Sequence, residues 1–225
     1  MKNVKISLIQ FYPEKKLQIN DIPLFRGYLA QLFRENDLVH NHDPESGKYR
    51  YRYPQIQYKI LDGIPTVVAI NNKAIEVAKK MICQIRQLKI GRQWVKLTRI
   101  TMKTKNAQLG SCQEPRKYQM VSPWIGLNTK NYLSYRDMNE QERDDLLSRC
   151  LIGNFLSICK YLGHNITDRL QVKLDIIPQS VYLKKEHMIG FTGTFESNFY
   201  LPDYLGLGRC SSRGYGCCIN LSPFS

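Results

Sequence analysis

The chain has 225 residues, of which 43% are hydrophobic, enough to build a core and too many for a disordered tail. Its 33 Lys and Arg against 19 Asp and Glu give a formal net charge of +14, which favours a polyanionic partner, nucleic acid ahead of an anionic membrane surface. No window reaches the roughly 18 apolar residues of a membrane span, the start MKNVKISLIQFYPEKK has no targeting pattern, and seven cysteines without a CxxC pair exclude zinc-finger spacing and fit a reducing cytoplasm.

Val4, Ile6 and Leu8 alternate with Lys5 and Ser7 and predict a strand. Asp21 and Pro23 then start a helix with the apolar stripe Phe25, Tyr28, Leu29, Leu32 and Phe33. The segment from His40 to Pro54, HNHDPESGKYRYRYP, is the loop that follows. YRYRYPQIQYKILDGIPTVVAI predicts two strands joined at Asp62-Gly63, a strong turn dipeptide. Asn72 is placed to cap a second helix carrying Ile75, Ala78, Met81, Ile82 and Ile85, and QWVKLTRITMKTK alternates as a further strand. The order strand, helix, strand, strand, helix, strand is that of a ferredoxin-like domain. NAQLGSCQEPRK, polar and carrying Gly and Pro, reads as a linker.

The pattern then restarts. YQMVSPWIGLN predicts a strand interrupted by Pro123. Asn139 and Glu142 have capping-box spacing at the head of a long helix, whose buried stripe is Leu147, Leu151, Phe155, Ile158 and Leu162 and whose stop is Gly163. RLQVKLDIIP and SVYLKKEHMIGFTGTFES predict strands, with Lys184 and Lys185 at the tip or flank of a hairpin. NFYLPDYLGLG suggests a reduced second helix and GYGCCINL a last strand. The expected fold is α+β, two tandem ferredoxin-like (RRM-like, βαββαβ) domains over residues 1–107 and 116–225, the second inferred from element order alone.

Two features carry chemistry. GLGRCSSRGYG places Gly206, Gly208, Gly214 and Gly216 as two GxG pairs five residues apart, with Arg209 and Arg213 between them. No Walker lysine follows and the second pair leads into a strand, so a nucleotide loop is not expected. Either missing side chains let an RNA backbone approach the main chain, with the two arginines pairing phosphates, or the loop only packs. The other feature is His40 to Pro54, which holds two of the four histidines and alternates Lys48, Arg50 and Arg52 with Tyr49, Tyr51 and Tyr53. Histidine has a pKa suited to general acid or base work near neutrality, tyrosine donates hydrogen bonds to phosphate oxygen, and arginine offsets developing charge. The plain alternatives are a polar surface loop, with Tyr53, Ile56 and Tyr58 in the core, or a metal pair with Asp43. His164 and His187 are distant in sequence and no carboxylate cluster suits two metals, so no metal and no cofactor are expected.

The C-terminal glycine pattern resembles the signature of the repeat-associated RAMP superfamily of CRISPR proteins. The segment LVHNHDPESGKYRYRYPQIQYKI after the first helix resembles the CRISPR-associated endoribonucleases that cut precursor CRISPR RNA, in a subtype with a histidine pair and tyrosines there. The resemblance implies a metal-independent ribonuclease that binds the CRISPR repeat RNA and cuts it once, leaving a 2′,3′-cyclic phosphate and a 5′-hydroxyl. It places the catalytic histidine at His40 or His42, with Tyr49 and Tyr51 as helpers. Lys48, Arg50, Arg52, Lys184, Lys185, Arg209 and Arg213 are the expected RNA contacts. Other subunits of a CRISPR interference complex and a second copy of the chain are further candidate partners. The rival expectation is a member of the same superfamily that binds repeat RNA without cutting it.

Overall fold

A computed structural model describes residues 1–40, 53–183 and 186–222, apart from the side chains of His40 and Leu183. The chain divides into two compact units, one of Val4–Ala107 with Ser212–Gly214, the other of Met1–Asn3, Gln108–Ser211 and Tyr215–Ser225.

The first unit is built from β1 (Lys2–Pro13), α1 (Ile22–Leu32), a one-turn α2 (Asp37–His40), β2 (Ile56–Leu61), β3 (Ile64–Ile70), α3 (Asn71–Gln84), β4 (Gln87–Ile90) and the start of β5 (Gln93–Met120). Its strands lie in the order β2-β3-β1-β5, the ferredoxin-like order, with β4 as an added partner of β5. Period-two alternation puts Ile9 and Phe11, Ile56, Tyr58 and Ile60, and Val67 and Ala69 on one face, where α1 supplies Phe25 and Leu29 and α3 supplies Ala74, Ile75, Ala78 and Met81. Leu61 pairs with Ile64 across Asp62 (φ 51°) and Gly63 (φ 81°), two residues of positive φ that close the β2–β3 hairpin as the sequence predicts. Asn72 does not cap α3: the helix begins one residue earlier and has no side-chain cap bond.

In the second unit β5 continues, followed by α4 (Thr129–Asp137), α5 (Glu140–Tyr161), β6 (Val172–Leu183), β7 (Glu186–Tyr200) and β8 (Cys218–Asn220). Here β5 pairs with β7 and β8, and β7 pairs with β6, which repeats the ferredoxin-like order. The Asn139–Glu142 capping box forms as predicted, and Leu147, Leu151, Phe155 and Ile158 are buried, while Leu162 is the C-cap and only half buried. Phe155 stacks on Phe199 with ring centroids 4.4 Å apart, and Tyr118 stacks on Phe195 at 5.0 Å.

Three expectations change. Residues 106–117 are strand and not linker, since β5 runs unbroken through them and pairs Gly110 with Tyr200 and Arg116 with Ser197 around a register shift. The strand expected over residues 118–128 stops at Met120, and Trp124 makes only an isolated bridge to Phe191. No second helix forms in residues 198–208; the crossover from β7 to β8 is irregular, with a single 3₁₀ turn at Ser211–Arg213. Each of the last two carries a proline, Pro123 and Pro202, which removes a main-chain donor.

Candidate functional site

The histidine segment is pinned on both sides to the core of the first unit. On the entry side the Asn36 carboxamide oxygen accepts from the Leu38 N–H at 3.2 Å and the Asn36 carbonyl accepts from Val39 at 3.1 Å, starting the single turn of α2. Val39 is 2% exposed, so the turn is nailed down one residue before His40. On the exit side Pro54 is buried and its carbonyl accepts from the Gln57 side chain at 3.3 Å, while the Gln55 carbonyl accepts from Ile70 at 2.8 Å. His42, Lys48, Tyr49, Arg50, Tyr51 and Arg52 lie outside the described residues, as does the side chain of His40. Tyr53 is half buried, and Ile56 and Tyr58 are core residues, as their alternation predicts. Burial raises the Tyr58 hydroxyl pKa far above its ordinary value, with Arg26 opposing the shift.

The glycine-rich crossover is packed into protein. At Gly208, with φ of 71°, a β-carbon would lie 2.7 Å from the Ile125 carbonyl oxygen and 2.8 Å from the Trp124 indole nitrogen. At Gly214, with φ of 91°, it would lie 2.6 Å from Ile22 Cδ1 and 3.1 Å from the Tyr58 carbonyl oxygen. Gly206 bridges Cys217, and the Gly216 N–H donates to the Pro123 carbonyl at 2.8 Å while its carbonyl accepts from Leu207 at 2.9 Å. The N–H groups of Arg209 and Cys218 also donate to protein carbonyls, so these main-chain donors are engaged internally. The space left by the missing side chains is taken by protein atoms, which favours the packing reading of this loop. The two arginines are displayed from it: Arg209 is exposed, with Nη1 3.5 Å from the Leu127 carbonyl, and Arg213 is half buried at the end of the 3₁₀ turn.

Lys184 and Lys185 lie outside the described residues, between β6 and β7. The other expected basic groups are joined by a row that the sequence reading passed over. Lys96, Arg99, Lys103 and Lys105 are all exposed along β5, and the Arg99 guanidinium sits 4.0 Å above the Tyr12 ring. Their signal was the run of Lys and Arg in QWVKLTRITMKTK, a segment that served only to predict the strand. Lys59 is a second feature missed: it is 1% exposed in β2, and among the described residues its Nζ has no hydrogen-bond partner. Among the described residues no group of three or more His, Cys, Asp or Glu side chains is placed to hold a metal ion. His164 follows α5, where burial, then the Met1 amino group and the Lys2 ammonium, lower its pKa.

Residues 2–108 match the Cas6b N-terminal domain, and residues 110–221 match the Cas6b C-terminal domain. The chain belongs to the Cas6b family. A crystal structure of Cas6b superimposes with a TM-score of 0.92 at 35% identity, covering 98% of this chain and 100% of that one. A second, of the CRISPR RNA processing endoribonuclease Cas6b, does so with a TM-score of 0.80 at 31% identity over 98% and 100% of the two chains. The uncharacterized protein MJ0978 of Methanocaldococcus jannaschii is 36% identical over 146 residues, 63% of this chain and 97% of that protein. Cas6b membership accounts for the tandem ferredoxin-like units. Among the described residues of this Cas6b chain no helix is long and apolar enough to cross a membrane.

Proposed function

We propose that the chain is a cytoplasmic, metal-independent endoribonuclease that cleaves precursor CRISPR RNA within the repeat. The observation that carries this reading is the full-length likeness, at 31% identity, to a CRISPR RNA processing endoribonuclease of the same family. The nucleophile is the RNA's own 2′-hydroxyl. A base takes its proton, the 2′-oxygen attacks the adjacent phosphorus, and the bond from phosphorus to the 5′-oxygen breaks as an acid protonates the leaving oxygen. The products are a 2′,3′-cyclic phosphate and a 5′-hydroxyl, and no water or metal is consumed. His40 or His42 handles the proton, Tyr49 or Tyr51 donates to a phosphate oxygen, and Arg50 and Arg52 offset the charge that gathers at phosphorus.

The described flanks support this assignment, because buried Val39 and Pro54 anchor the chain on both sides of the segment to the first unit. Lys48, Lys184, Lys185, Arg209 and Arg213, with the β5 row, hold the repeat. Other interference-complex subunits and a second copy of the chain are candidate partners beyond the RNA. The test is cleavage and binding of the repeat RNA by the parent, His40→Ala and His42→Ala. Loss of cutting with binding retained in at least one variant supports the site. Parent-level cutting by both removes it, and a parent that binds without cutting makes the protein a repeat-binding relative.

A further inference from the structure

The β6–β7 hairpin carries aromatic groups that the core does not use. In its register Pro178 faces Phe191, Ser180 faces Ile189 and Tyr182 faces His187, and directly paired residues of an antiparallel ladder share a face. Phe191 anchors that face, packing edge-on against Tyr135 of α4 with centroids 5.8 Å apart. Towards the hairpin tip the core ends in an open groove of about 350 Å³, walled by Tyr132 of α4 on one side and by residues 178–180 and 187–189 of the hairpin on the other. Tyr132 is 40% exposed and Tyr182 is 62% exposed. The Tyr182 ring stands 5.0 Å from the His187 ring, and the Ser180 hydroxyl lies 3.3 Å from His187 Nδ1.

Several observations bear on the occupant. Exposed flat rings beside a small cleft are the usual platform for unstacked bases, which present a π-face whatever their sequence. The Ser180 hydroxyl and the His187 imidazole meet there, a donor and acceptor pair able to address the edge of a base. Among the described residues no carboxylate lines the groove, and exposed Arg136 lies one helical turn beyond Tyr132 on α4. A volume of about 350 Å³ is at the small end for ligand pockets, which run from about 300 to 1,000 Å³. That suits one base and its sugar better than a protein helix. A second copy of the chain fits less well, because each copy carries a formal charge of +14.

We propose that this groove is a subsite for one unpaired base of the RNA substrate, stacked on Tyr132 and met at its edge by Ser180 and His187, with the exposed Tyr182 ring beside His187 extending the platform. The inference rests on the RNA-processing reading and adds to it a contact away from the histidine segment. Its test is fluorescence anisotropy with end-labelled repeat RNA on the parent, Tyr132→Ala, Tyr182→Ala and the two Tyr→Phe variants, each first checked for an unchanged melting temperature. The alanine variants are expected to bind roughly five- to hundredfold more weakly with an unchanged salt slope, since stacking is lost and no phosphate contact is. The phenylalanine variants keep parent affinity. In parallel, repeat RNA carrying 4-thiouridine should crosslink to Tyr132, Tyr182 or His187 in the parent. Alanine variants that bind as the parent does, while the parent binds and cuts, overturn this subsite alone. Alanine variants that shift only the monomer–dimer balance in sedimentation make the groove a self-interface and also overturn it. A parent that binds no repeat RNA overturns the functional reading and the subsite with it.

Discussion

Gly208 and the indole of Trp124 compete for one place: a β-carbon on Gly208 would lie 2.8 Å from Trp124 Nε1, which already donates to Asn154 Oδ1 at 2.9 Å. The same glycine has φ of 71°, in the left-handed region. Gly208→Ala must therefore strain the backbone and push the buried indole off its partner. A loss of about 1–3 kcal/mol is expected in urea unfolding. A variant as stable as the parent would show that the loop is not packed as described.

Gly153 is the contrasting case. It lies exposed within α5, and a β-carbon there would meet nothing within 4 Å. Gly153→Ala should raise stability by about 0.5–1 kcal/mol through helix propensity. At the head of the same helix Asn139→Ala should cost about 1 kcal/mol, because the Asn139 side chain accepts from the Glu142 N–H at 3.0 Å. Thermal melts of the two variants should move in opposite directions.

What was legible in the sequence depended on local chemistry. The Asp62-Gly63 turn and the Asn139–Glu142 box were readable because each is fixed by residues within three positions of one another. Residues 106–117 misread as linker because their strand is sustained by pairing with distant β7, from Gly110 with Tyr200 to Lys117 with Glu196, while most of their own side chains are polar. The helix α4 escaped because TKNYLSYRD buries only Tyr135 and so shows no apolar stripe. The histidine segment was visible as a composition, two histidines and alternating tyrosines, but nothing in it ranks His40 over His42. The exposed basic row on β5 was overlooked because the same segment was read only for its strand pattern.

His164 gives a pH dependence with a definite sign. Its pKa is lowered in the folded chain from the ordinary value of 6.5, so the unfolded chain binds a proton first as pH falls. The stability associated with the neutral ring is complete above that ordinary value and is lost as pH drops through the lower folded value. The urea midpoint should fall between about pH 7.5 and 5.5, and His164→Gln should fall less over the same range. An equal fall in both proteins would place the effect elsewhere.

Arg209 is exposed and held near the Leu127 carbonyl, a geometry that presents its guanidinium to solvent. As a phosphate contact it should add about −0.7 to the slope of log affinity against log salt for single-stranded RNA. Arg209→Ala should weaken binding to repeat and unrelated RNA alike and flatten that slope by about the same amount. An unchanged slope would remove Arg209 from the RNA path.

The central claim is that the RNA supplies the nucleophile and the protein supplies only proton transfer and charge. The direct measurement is cleavage of repeat RNA in EDTA, alongside the same RNA carrying one 2′-deoxy nucleotide on the 5′ side of the cut. The account predicts undiminished cutting of the all-ribose RNA in EDTA, with 2′,3′-cyclic phosphate ends, and no cutting at the deoxy position. Cleavage of the deoxy substrate, or activity that disappears with EDTA and returns with a divalent metal, would contradict it.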